Sequence, residues 1–128
     1  MYKGGRRSIG EAIYFASKLL LKFKGKFDII DCQEFSYLSC LSAKFHSVTR
    51  KIPLVITWHE LWKDYWRDYL GGLGKVGEKI EILTSKLTTY NVSVSRLTQK
   101  RLMKLGVRSA FSWLSCSSHK LFHWSASV

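Results

Sequence analysis

Pro53-Leu54-Val55-Ile56-Thr57-Trp58-His59 decides the fold. Leu54 to Thr57 run without a polar break apart from one β-branched threonine, the pattern of a strand buried on both faces. Pro53 stands at the first position, where a missing N–H is tolerated. The run stops at Trp58, His59 and Glu60, which puts two titratable side chains at its carboxyl end. In open parallel sheets ligands bind outside the carboxyl ends of the strands, so His59 is the first candidate for chemistry.

Outward from this strand the chain alternates short apolar runs with amphipathic stretches. On the amino-terminal side, Asp28–Cys32 reads as a second strand, with Gln33 and Glu34 at its end. Before it, Ser8 and Glu11 are spaced as a capping box, and Ile9, Ala12, Ile13, Ala16, Leu19, Leu20 and Phe23 follow at helical steps. That helix suits packing on a sheet; an interfacial membrane helix is the alternative. A further helix runs from about Ser36 to His46, whose histidine reads as a solvated helix end.

On the carboxyl-terminal side, Trp58, Trp62, Tyr65, Trp66 and Tyr69 recur every three or four residues, as one face of a short helix. They form either an aromatic lid beside His59 or a packing stripe. Gly72-Leu73-Gly74-Lys75-Val76-Gly77 matches G-x-G-x-x-G, but no strand precedes it and no acidic residue follows at the ribose distance. It reads as a flexible hinge before a helix whose stripe, Leu73, Val76, Ile80, Leu83 and Leu87, faces the core. A third strand near Asn91–Ser95 and a helix from Arg96 to Leu105 complete the pattern. The expected fold is α/β: a partial Rossmann-like domain with a three-stranded parallel sheet, at residues 28–32, 53–58 and 91–95, and helices against it. It occupies residues 8–107.

Residues 108–128 read as an irregular serine-rich tail that packs poorly. Seven of the last 20 residues are serine, and Lys120 is the sole charge among them. Cys116, His119 and His123 share a helical face there, but three ligands without a fourth do not make a zinc site, and no metal is assigned.

The 128 residues allow one domain, and 46% hydrophobic content with 14% aromatics is that of a folded chain. Three cysteines without a CxxC spacing favour a reduced, cytoplasmic setting. The net charge is +12, and half of it lies before Phe27, where seven basic residues face Glu11 alone. Such a cluster fits phosphorylated ligands, nucleic acid or the cytoplasmic face of a membrane. The aromatic stretch nearly cancels its own charges, and no RNA-recognition motif, GXXG loop or zinc-finger spacing occurs, which argues against nucleic acid as a partner.

Three ordered segments, FDIIDCQE, PLVITWHELW and NVSVSRLTQKRLMKLGV, together resemble the N-terminal domain of the family-four retaining glycosyltransferases with the GT-B fold. Thr57-Trp58-His59 matches that family's strand ending in T-x-H. Val94-Ser95 through Gly106 matches its V-S strand end and the helix closing in L-x-x-x-G. The resemblance implies sugar transfer from a nucleotide-sugar donor to a sugar or lipid-linked acceptor, without a metal or other cofactor. It implies that His59 hydrogen-bonds in the active-site cleft, with Ser95 beside it. Gln33 and Glu34 take the place of the polar residues after the family's first matching strand. Glu60 and Trp62, next to His59, complete the candidate substrate-binding set. The family's opening strand and glycine-rich loop, its P-N-G-[IV]-D turn, and its second, donor-holding domain with an E-x7-E pair have no match here. The expectation is therefore part of such an enzyme, inactive alone, exposed along one sheet edge and marginally stable, from a truncated or frame-shifted gene. A basic nucleic-acid-binding module and a non-catalytic relic are the rival readings.

Overall fold

The computed structural model describes residues 9–34, 37–63 and 65–111. Helix α1 (Ile9–Lys22) leads to β1 (Ile30–Gln33), α2 (Tyr37–Arg50) and β2 (Leu54–Trp58). Helix α3 (Tyr65–Leu70) passes through a 3-10 turn at Gly71–Leu73 into α4 (Gly74–Ser85). Then come β3 (Tyr90–Ser93), α5 (Arg96–Lys104) and β4 (Ala110–Phe111). The strands form one sheet in the order β1-β2-β3-β4, each pair parallel. Parallel neighbours require a crossover, and the helices supply one between every two strands. The expected α/β architecture is present, with its three strands near their expected places. The two-residue β4 adds to them; its Ala110 pairs with Val92 inside what reads as tail in the sequence.

Register puts Cys32, Ile56 and Asn91 in one row and Gln33, Thr57 and Val92 in the next. Alternation then sorts the sheet into two unlike faces. Ile30, Cys32, Leu54, Ile56, Trp58, Asn91 and Ser93 are buried, whereas Asp31, Gln33 and Tyr90 are exposed and Val55, Thr57 and Val92 half-buried. The β2 strand is thus buried on one face only. A run of β-branched residues reads the same either way, because Val55 and Thr57 suit a half-covered pleat as well as a core.

Among the described residues Trp58 is the largest fully buried side chain. Its Nε1–H donates to Asn91 Oδ1 at 2.8 Å, and Asn91 Nδ2 in turn donates to Thr88 O at 2.9 Å. One buried amide therefore satisfies the indole and ties β2 to the entry of β3. At the far end Gly106, at φ +74°, lets the chain leave α5 in the left-handed region, and Val107 N–H closes back on Leu102 O at 3.1 Å.

The helices are packed less as their apolar stripes suggest. No residue of α1 is buried, and the helix lies on α2 instead of on the sheet. Ser42 Oγ donates to Ala16 O at 2.9 Å, and His46 Nε2 to Leu19 O at 3.1 Å. His46 is accordingly buried and stacked on Phe23 at 4.6 Å, not a solvated helix end. The α2 face pressed between α1 and the sheet consists of Ser39, Cys40, Ser42, Ala43, His46 and Ser47. Small side chains let the backbones approach, while Phe45 is left outside. Ser8 of the expected capping box lies outside the described residues.

Helix α4 departs furthest from its sequence pattern. It buries Gly74, Gly77, Glu81, Thr84 and Ser85 and exposes Val76 and Leu83, while Leu73, in the turn before it, is exposed as well. The glycines are contact points, not a hinge. A Cβ on Gly77 would stand 2.4 Å from Trp66 Cε3, and one on Gly74 would stand 2.6 Å from Arg67 Cα. Gly77→Ala is therefore expected to cost about 1–3 kcal/mol through overpacking. Gly72→Ala, with open space around its Cβ, should change stability by less than about 0.5 kcal/mol. Urea unfolding of the two variants checks the contrast.

Candidate active site

The carboxyl ends of β1 and β2 lie side by side because Gln33 is in register with Thr57. Thr57 Oγ1 donates to Asp31 Oδ1 at 3.0 Å on the open face of the sheet. One residue beyond β2, exposed His59 turns its Nε2–H to Gln33 Oε1. A neutral imidazole with that tautomer keeps a lone pair on Nδ1, so it can accept a hydrogen bond from a ligand hydroxyl. Gln33 and His59, drawn from separate strands, are thereby brought into contact.

What holds His59 there is a loop whose polar groups are paired one by one. Glu34 is 3% exposed, and its Oε2 accepts from His59 N–H at 2.8 Å. Its Oε1 accepts from Glu60 N–H at 3.2 Å, and its own N–H closes on Thr57 O at 3.0 Å. Glu81, fully buried on α4, takes Trp62 N–H at 2.7 Å on Oε1 and Lys63 N–H at 3.0 Å on Oε2. The Tyr37 hydroxyl donates to the same Oε1 at 2.9 Å. From the other side, Arg101 Nη1 donates to Leu61 O at 2.8 Å. Two carboxylates and one guanidinium thus fix residues 59–63, replacing the ladder bonds that the chain gives up on leaving β2.

Ser95 joins through a relay. As N-cap of α5 its Oγ accepts from Thr98 N–H at 3.1 Å, its hydroxyl donates to Thr98 Oγ1 at 2.8 Å, and Thr98 Oγ1 donates to His59 O at 3.0 Å. Ser95 thus reaches His59 through Thr98. The Glu60 side chain is exposed beside His59. Trp62 packs with Tyr65, Trp66 and Tyr69 at centroid distances of 5.3, 5.1 and 5.2 Å, an aromatic cluster on the short α3. Gln33, Glu34, His59 and Glu60 therefore converge, with Ser95 one relay away and Trp62 at the loop's far end. Among the described residues no group of three potential metal ligands occurs, and Cys116, His119 and His123 lie outside them.

Burial pushes the Glu34 carboxyl above the usual carboxylate range, and the two loop N–H groups pull the other way without cancelling it. A carboxyl whose folded pKa is raised binds its proton more tightly in the folded chain. Its contribution to stability is complete below pH 4.5, its ordinary value, and is lost as pH rises through the raised value. Urea midpoints of the parent should therefore fall, relative to Glu34→Gln, as pH climbs above 4.5. A constant difference between the two would contradict the assignment.

Glu81, Thr98 and Arg101 were not legible as site residues. Glu81 sits in a helix whose apolar stripe points elsewhere. Thr98 stands three residues after Ser95, a capping distance that could have signalled the contact.

Comparison with known families matches the model described as Glycosyltransferase Family 4 to residues 2–111. No curated protein and no solved structure matches the chain. The match spans every strand described above, including β4 and the strand end that carries His59. The chain belongs to glycosyltransferase family 4.

Proposed function

We propose that this chain forms one wall of a cleft in which a sugar passes from a nucleotide-sugar donor to a sugar or lipid-linked acceptor. The observation that carries the reading is the His59–Gln33 pair at adjoining carboxyl ends of parallel strands, on the less buried face of the sheet. That is where ligands of open parallel sheets bind. His59 would hydrogen-bond the sugar as it transfers, and the clamp from Glu34 would keep its ring in place. Ser95 would act through Thr98 on the same loop. Glu60 and the Trp62 cluster would border the acceptor side, without any metal.

The exposed apolar residues of α1, Ile13, Leu20 and Leu21, alternate with exposed Lys18 and Lys22. This combination suits peripheral contact with an anionic membrane carrying a lipid-linked acceptor, in a cytoplasmic setting. Among the described residues no helix is long and apolar enough to cross a membrane.

Taken alone, the 128-residue chain should not turn over. Transfer between two bound substrates draws much of its rate from positioning, and the donor diphosphate needs a second set of groups to hold it. Incubation of the purified chain with common uridine, guanosine and adenosine diphosphate sugars, followed by phosphorus NMR, should show no release of nucleoside diphosphate beyond the uncatalysed rate. Sustained release would mean that the described site is complete in itself.

A further inference from the structure

Cys32, on the buried face of β1, and Cys40, in the first turns of α2, bring their sulfurs to 3.2 Å from each other. Both thiols are free and buried. We propose that Cys32 and Cys40 form a redox-sensitive dithiol that a peroxide converts to an intrachain disulfide, altering the setting of His59. The proposal rests on the thiol geometry; it needs the sugar-transfer reading only for the consequence at His59.

The sulfurs must close by about 1 Å to reach disulfide length, a shift within side-chain rotation. The two thiols are chemically unequal. Hydrogen bonding from Cys40, with help from the Ser39 hydroxyl at 3.8 Å, holds the Cys32 thiol below its usual range despite burial. The same contact, and then burial, push the Cys40 thiol up. Cys32 keeps a small exposed surface whereas Cys40 has none, so Cys32 is the thiol that meets the peroxide and Cys40 the thiol that resolves. In the first step Cys32 sulfur displaces hydroxide from the peroxide; a proton converts that hydroxide to water and leaves a sulfenic acid. In the second, Cys40 sulfur bonds to Cys32 sulfur, and the sulfenic hydroxyl leaves with the Cys40 proton as a second water. Two thiols are oxidised, and one peroxide is reduced.

The link to the site is the segment between them. Both thiols lie 3.7 Å from Gln33 O, and Gln33 carries the side chain that bonds His59, while Glu34 holds the His59 N–H. Oxidation removes both S–H groups that are directed at Gln33 O, so the carbonyl on which the two thiols converge loses these contacts and resets.

Trypsin offers a clean readout, because residues 27–44 form one peptide holding both cysteines, while Cys116 falls in another. The folded chain is treated with hydrogen peroxide, then unfolded, alkylated and digested. The 27–44 peptide should lack two hydrogens and take no alkyl group, and dithiothreitol should restore both sites. In Cys40→Ser the reaction should stop at a sulfenic acid on Cys32, trapped by dimedone. In the intact parent chain, NMR of the His59 ring should shift on oxidation and return on reduction. Full alkylation of both cysteines after peroxide, or either one linked to Cys116, overturns the proposal. So does a Cys32–Cys40 disulfide that leaves the His59 resonances unmoved.

Discussion

Glu81→Ala should lower the unfolding free energy by about 3–5 kcal/mol, since it strands three part-buried donors at roughly 1–1.5 kcal/mol each, the low end of the cost of an unsatisfied group. The donors are Trp62 N–H, Lys63 N–H and the Tyr37 hydroxyl, all converging on a side chain with no exposed surface. Desolvation of the carboxylate works in the opposite direction. It is already offset by three hydrogen bonds to a charged acceptor, each stronger than its neutral counterpart. Truncation removes the acceptor and leaves three part-buried donors without it, so the loss dominates. Tyr37→Phe deletes one of these bonds and should cost only about 1 kcal/mol. Burial, and then the Glu81 charge, push the Tyr37 phenol up, so it remains a donor at any ordinary pH. Denaturant titration of both variants decides the point; a Glu81→Ala chain within about 1 kcal/mol of the parent would remove the clamp from the account.

Damage at Glu81 should also propagate along the loop, since residues 59–63 are held from both ends. Glu34 grips His59 and Glu60, and Glu81 grips Trp62 and Lys63. Release at one end frees a short segment whose other end carries the candidate catalytic histidine.

Strands β1, β2 and β3 were legible in the sequence because short apolar runs ending in polar residues have few other readings, whereas the two-residue β4 is too short to show a pattern. His59 was legible for the same reason: a strand that stops at a histidine puts it at the sheet's carboxyl edge. The helices were harder. The apolar residues of α4 form a regular stripe, yet the helix turns its glycines and Glu81 inward, because close approach to Trp66 and hydrogen-bond demand from the loop outweigh the burial of Val76 and Leu83. Periodicity finds a stripe but not what it faces. Glu34 shows a related gap: its place after β1 was readable, but its two backbone partners come from a loop 25 and 26 residues further on. His46 was misread because its neighbour α1 packs on α2, a tertiary choice that no local pattern records.

The second large effect concerns His59 itself. When the chain is joined to the donor-binding domain of a full-length relative, His59→Ala should lower kcat about 100-fold, the scale of losing one positioned hydrogen-bonding group in a reaction cleft. Donor affinity should change by less than about threefold, because in the proposed role the interaction forms mainly as the sugar begins to transfer. Gln33→Ala should lie between the parent and His59→Ala, since it removes the partner of Nε2 but leaves the ring clamped through its backbone.

The most direct measurement is the comparison of kcat and donor Kd between the joined parent and its His59→Ala variant. The site described here predicts a large loss of kcat with nearly unchanged Kd. Equal kcat in the two would contradict it, leaving His59 as a surface residue at the end of a strand.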